Sequence, residues 1–221
     1  MKFNIQNPAF MQSAGARPPQ SFIVIHTEQE NQDIFGLISD GAVRIKTIKD
    51  GKTKITSYPD GLNIVDALFS LSNDANTDIF IYGEITEISV SDDVNVSGVT
   101  DVKTKSCESL IKVSMGGCEN ITDLDFSSNI NIDYLTVGNN ISLVSLNISN
   151  CHELEYLYLT GCSNLTEIFA VGINEYTAGI LEQHILDLGE EDITGTIVVR
   201  QEESYGIQQA ADLAGWTVIY Q

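Results

Sequence analysis

Four cysteines stand at positions 107, 118, 151 and 162. Each neighbouring pair, Cys107 with Cys118 and Cys151 with Cys162, is eleven residues apart. Thiols at fixed spacing can ligate a metal, form disulfides or act as nucleophiles. His152-Glu153-Leu154-Glu155 places an imidazole and two carboxylates beside Cys151. That run lacks the second histidine of H-E-x-x-H, and His26, His152 and His184 fall in three different segments. No nucleophile elbow, phosphate-binding loop or dinucleotide-binding glycine pattern occurs in the chain. The expectation is a protein that is not an enzyme and that needs neither cofactor nor metal.

The elements that carry the cysteines come from a repeat. From Val99 the chain reads VTDVKTKSCES, LIKVSMGGCEN, ITDLDFSSNIN, IDYLTVGNNIS, LVSLNISNCHE, LEYLYLTGCSN and LTEIFAVGINE without a gap. ITEISVSDDVN precedes them from Ile85, separated by three inserted residues, so eight eleven-residue units cover 85–175. Positions 1, 4 and 6 are almost always apolar, and such alternation predicts a short strand in each unit. No unit has room for a strand and a helix together. The phrase L-x-x-L-x-L-x-x-N/C is that of leucine-rich repeats of about 20–29 residues. Two units therefore make one coil of 22 residues, with a strand on each side and two parallel sheets in all.

Position 9 explains the thiols. Inward-facing residues at a corner must satisfy backbone groups that leave the strand ladder, which Asn does well, while Cys is a small buried substitute. One edge stacks Cys118, Asn140 and Cys162; the other stacks Cys107, Asn129 and Cys151. Cysteines on one edge are two coils apart, about 9–10 Å at normal strand spacing, beyond the reach of a disulfide. Metal convergence fails by the same geometry. The predicted role of all six residues is a structural ladder. The sequons beginning at Asn95, Asn120, Asn140, Asn147 and Asn164 read as by-products of polar corners.

Positions 3, 5 and 7 face solvent when 1, 4 and 6 face inward. One sheet then carries Lys112, Tyr134, Tyr156 and Tyr158, with Tyr134 and Tyr156 one coil apart. Exposed tyrosines supply rigid contact area with a polar tip, so these four are the candidate binding face for a protein or a glycan. The opposite sheet is mostly polar and acidic.

The formal charge is −20, and between Lys112 and Arg200 there are thirteen Asp and Glu with no Lys or Arg. Neutralising phosphates needs cations, so neither nucleic acid nor an anionic membrane is an expected partner. No apolar run is long enough to span a bilayer.

Four segments follow. Residues 1–20 are an extended arm whose Phe3, Ile5, Phe10 and Met11 lie among prolines and no acids. Such side chains predict an anchor that orders on a neighbouring subunit, its own copy or another structural protein. Residues 21–84 are a small β-sandwich-like domain, including a hairpin across Lys-Asp-Gly-Lys and a short helix over 60–72 from the spacing of Ile64, Ala67, Leu68 and Leu71. Residues 85–175 are the leucine-rich-repeat β-solenoid. Residues 176–221 form an α/β cap, strand and helix alternating up to a closing WTVIY strand, with Trp216 in the cap core. The fold class expected is mainly β.

The repeats, the IYGEITEISVSDD run that leads into them and the ending AADLAGWTVIYQ resemble those of BspA-like leucine-rich-repeat proteins. That family comprises surface proteins of Bacteroidota and virion proteins of phages that infect them. The resemblance implies a structural or binding role: a head fibre, capsid decoration or tail-associated protein of a virion, or a bacterial adhesin or scaffold. The N-terminal residues MKFNIQNPAF lack the apolar run of a leader, which favours the virion and assembly in the host cytoplasm. A carbohydrate-active enzyme is the remote alternative.

Overall fold

The structure is a computed structural model that describes residues 21–28, 33–34, 36–64, 69–70, 76–90, 98–104, 107–203 and 206–221. Phe3, Ile5, Phe10 and Met11 lie outside the described residues. The fold is mainly β, in several sheets.

The N-terminal strands are β1 (Phe22–Thr27), β2 (Asp33–Ile34), β3 (Gly36–Ser39), β4 (Val43–Lys49), β5 (Lys52–Tyr58), β6 (Asn63–Ile64), β7 (Phe69–Ser70) and β8 (Thr77–Tyr82). The hairpin between β4 and β5 turns at Asp50 and Gly51, both in the left-handed region at φ 46° and 75°. That conformation explains the Asp-Gly pair. Where helical spacing predicts a helix over 60–72, the described residues are a turn at 60–62 and strand at 63–64 and 69–70. Gly61 turns the chain at φ 81°, and Asn63 and Ile64 then pair with Ile38 and Leu37. The open edge of β3 offers backbone partners, and this pairing prevails over the weak periodicity; residues 65–68 and 71 lie outside the described set.

Next come β9 (Ile85–Ser89), β10 (Val99–Lys103), β11 (Lys112–Ser114), β12 (Asp123–Asp125), β13 (Tyr134–Thr136), β14 (Ser145–Asn147), β15 (Tyr156–Tyr158) and β16 (Glu167–Phe169). They sort alternately. β9, β11, β13 and β15 pair in parallel; the register joins residues 22 apart from β11 on, as in Lys112 with Tyr134 and Tyr134 with Tyr156, and 25 apart between β9 and β11, across the three inserted residues. β12, β14 and β16 form a second parallel set with the same step, Leu124 against Leu146 against Ile168. The inward residues at positions 1, 4 and 6 of all eight units are buried.

Corners repeat too. The carbonyl of position 9 accepts the N–H of the next unit's first residue, as in Leu143 to Asn140 (3.0 Å) and Leu154 to Cys151 (3.3 Å). Position 8, just before, adopts positive φ at Gly117, Asn139, Asn150, Gly161 and Gly172. Gly, and next Asn and Asp, enter that region most cheaply, so at these five corners the residue choice is a backbone requirement.

The two ends differ. β9 also pairs antiparallel with β3, and β10 pairs antiparallel with β1, in a sheet ordered β10-β1-β8-β4-β5. The first two units thus belong at once to the repeat and to the N-terminal sheets. At the other end follow α1 (Glu175–Glu190), β17 (Thr196–Val199), α2 (Ile207–Ala214) and β18 (Thr217–Tyr220). β17 and β18 extend the second parallel sheet, whose order is β12-β14-β16-β17-β18. The helices occupy the return path that strands take earlier. Asn174 caps α1 by accepting from the Thr177 N–H (2.9 Å) and donates to the carbonyls of His152 and Leu154. Trp216 is buried and donates from Nε1 to the Ile193 carbonyl at 3.1 Å. One apolar core runs from Ile23 to Trp216.

Candidate functional site

Position 3 of the first parallel sheet makes one outward row. Strand register alone sets Glu87 beside Lys112, Lys112 beside Tyr134 and Tyr134 beside Tyr156. The side chains then interact in order. Lys112 Nζ lies 3.9 Å from the Glu87 carboxylate and 5.0 Å from the centre of the Tyr134 ring, a cation over an aromatic face. Tyr134 and Tyr156 stack with ring centres 4.4 Å apart and planes 6° from parallel. Partial desolvation, and then the phenols of Tyr134, Tyr158 and Tyr176, raise the Tyr156 pKa above its usual value. Tyr176 stands in the first turn of α1. It follows the last unit, so the repeat spacing does not point to it.

Position 5 gives the neighbouring row. Thr136 donates its hydroxyl to Ser114 Oγ at 2.9 Å, and Tyr158 continues the row beyond Thr136. The Tyr158 ring lies over Gly138, where any Cβ would collide with it. A glycine at position 7 is thus the seat of a flattened ring. Tyr156 and Tyr158 each remain 39% exposed. Lys112, Tyr134, Tyr156 and Tyr158 therefore share one face, backed by hydroxyls.

The ladder residues are inside. Asn129 donates from Nδ2 to the carbonyls of Thr104 (3.0 Å) and Cys107 (2.7 Å), and its Oδ1 accepts the Thr104 hydroxyl at 2.6 Å. Asn140 donates to the Met115 carbonyl at 2.8 Å, while its buried Oδ1 has no partner. Cys107 reaches the Ile85 carbonyl, Cys151 the carbonyls of Phe126 and Asn129, and Cys162 that of Val137. All four cysteines are free and buried. Burial pushes the thiols of Cys118 and Cys151 up to about 12 and that of Cys162 to about 11. Burial of this kind holds a thiol in its protonated, less reactive form. Among the described residues, no three His, Cys, Asp or Glu side chains converge to hold a metal ion.

The second parallel sheet presents Asp123, Asp125, Ser145, Asn147 and Glu167 outward, a polar and acidic face. Its position 5 row changes character along the sheet: Asp125, Asn147, Phe169, Val198, Ile219. No helix of the described residues is long and apolar enough to cross a membrane. No family model, curated protein or solved structure matches the chain.

Proposed function

We propose that the chain is a non-enzymatic structural and binding protein: a leucine-rich-repeat solenoid of the BspA-like type, carried as a component of a bacteriophage virion. The observation that carries the binding reading is the stacked pair Tyr134 and Tyr156, extended by Lys112 and Tyr158 on one solvent-facing sheet. Burial of every inward position, with the 22-residue parallel register, supports the solenoid. In this reading the tyrosine face meets a protein or glycan of the host surface. Residues 1–20 anchor the molecule to a neighbouring subunit, and the solenoid projects. The virion assignment, as head fibre, capsid decoration or tail-associated protein, rests on the family resemblance.

Flow cytometry of fluorescently labelled protein on Bacteroidota cells tests the face. Wild type binds, and the double variant Tyr156→Ala, Tyr158→Ala keeps its fold and loses binding by about tenfold or more, the scale of lost aromatic anchors. Equal binding by the folded double variant overturns the reading.

A further inference from the structure

Every sheet ends somewhere, and the ends are guarded differently. β15 is flanked by α1, β12 abuts β10, and β2, β6 and β7 are two residues long. β5 is a full-length edge, but the β4–β5 hairpin carries Arg44, Lys46, Lys49, Lys52 and Lys54, the charges that keep edges from pairing. β18 is different. It reads Thr-Val-Ile-Tyr with no charge, and among the described residues it is paired on one side only. Thr217 and Gln221 bond through their N–H groups to Gly195 and Val199 beside or within β17. Strand alternation therefore turns the N–H and C=O of Val218 and Tyr220 to the open side.

The side chains there are apolar and exposed: Ile219 at 46%, Tyr220 at 42%, and Leu213 of the adjoining α2 at 75%. Ile219 ends the row Phe169, Val198, Ile219, so an added strand with an apolar side chain at that level would continue an existing cross-strand row. The surroundings are acidic: residues 176–221 hold eight Asp and Glu against Arg200 alone.

We infer that the open edge of β18 receives an extended strand, and that this strand is the segment around Phe3 and Ile5 of a second copy. The inference rests on the proposed role of residues 1–20 as an assembly arm and says where that arm docks. Lys2-Phe3-Asn4-Ile5-Gln6 alternates polar and apolar residues, the pattern of a strand with one apolar face. The first twenty residues carry Lys2 and Arg17 and no acid, a charge opposite to that of the β18 end. The same charge disfavours the cationic edge of β5. Main-chain bonds to Val218 and Tyr220 supply affinity, and Phe3 and Ile5 beside Ile219 supply register. The contact is heterologous, arm of one copy to edge of the next.

Sedimentation equilibrium of the full-length chain, over a wide concentration range, tests this. The native chain associates. Ile219→Lys guards the edge; Tyr220→Pro removes an N–H that faces the open side, along with an exposed hydroxyl that donates to Gln208; Phe3→Asp with Ile5→Asp removes the arm's apolar face. Each is expected to weaken association by about tenfold or more with an unchanged circular dichroism spectrum. Mixing the arm variant with Ile219→Lys restores a one-to-one complex, because each supplies the half the other lacks. A monomeric native chain, or an arm variant that still associates, overturns the docking between copies; the arm's anchoring on another structural protein is a separate reading, which that outcome leaves standing. Loss of association in the arm variant, with Ile219→Lys and Tyr220→Pro unaffected, overturns the β18 site alone and leaves the arm's role standing.

Discussion

Asn129 and Asn140 occupy equivalent corners and do unequal work. Asn129 satisfies two carbonyls and accepts a hydroxyl, whereas Asn140 satisfies one carbonyl and buries an unpartnered oxygen. Losing a buried partner costs about 1–3 kcal/mol per stranded group. Asn129→Leu is therefore expected to destabilise more than Asn140→Leu, read as midpoint shifts in urea denaturation; equal shifts would remove the distinction. His184 makes the second test at this scale. It is buried on α1 with its Nε2 unpartnered, and burial lowers its pKa to about 4, with Asp187 pulling weakly the other way. The folded pKa lies below the unfolded value of about 6.5, so the unfolded chain binds the extra proton first. The stability is intact above that pH and lost as pH falls toward 4. Between pH 7.5 and 4.5 wild type is expected to lose about 2–3 kcal/mol that a His184→Gln variant keeps, measured by denaturation at both pH values.

At the scale of the element, the corner is the unit that repeats. Gly161 sits at φ 83° with Asn139 of the neighbouring corner pressed against the place of its missing Cβ. Gly161→Ala is expected to cost about 1–2 kcal/mol from the left-handed backbone alone, and the crowding adds to it. Asn139→Gly and Asn150→Gly, at the same position 8, keep the required conformation and are expected to change the thermal midpoint little. A Gly161→Ala variant as stable as wild type would show that the corner relaxes. The helices α1 and α2 show the other side of element choice. They replace strands only on one side, because Asn174 ends the strand pattern with an N-cap while β17 pairs onto β16 and β18 onto β17.

Charge is a property of the whole molecule. A net −20 over 221 residues, with Lys and Arg concentrated in the β4–β5 hairpin, makes self-repulsion a cost to the compact state. Salt screens exposed charges within roughly 10 Å at 0.1 M. The thermal midpoint is therefore expected to rise with sodium chloride between low and physiological ionic strength, by scanning calorimetry; a flat or falling midpoint would mean that the acidic faces are held far enough apart to ignore one another.

Spacing alone identified which residues share a row. Eleven-residue periodicity predicts that Leu124, Leu146 and Ile168 face inward together, and that Lys112, Tyr134 and Tyr156 line up outward, because a period of two along a strand and 22 between strands leaves no other register. Tertiary structure decided what no period contains. It brought β9 and β10 into pairing with β3 and β1, since unpaired edges of the first units meet the N-terminal strands. It turned residues 63–64 from a helical reading into an edge strand and laid Tyr158 over Gly138. It also left β18 open on one side. Each of these depends on which backbone groups and surfaces remain unpaired after the local pattern is satisfied, and that is a property of the assembled chain.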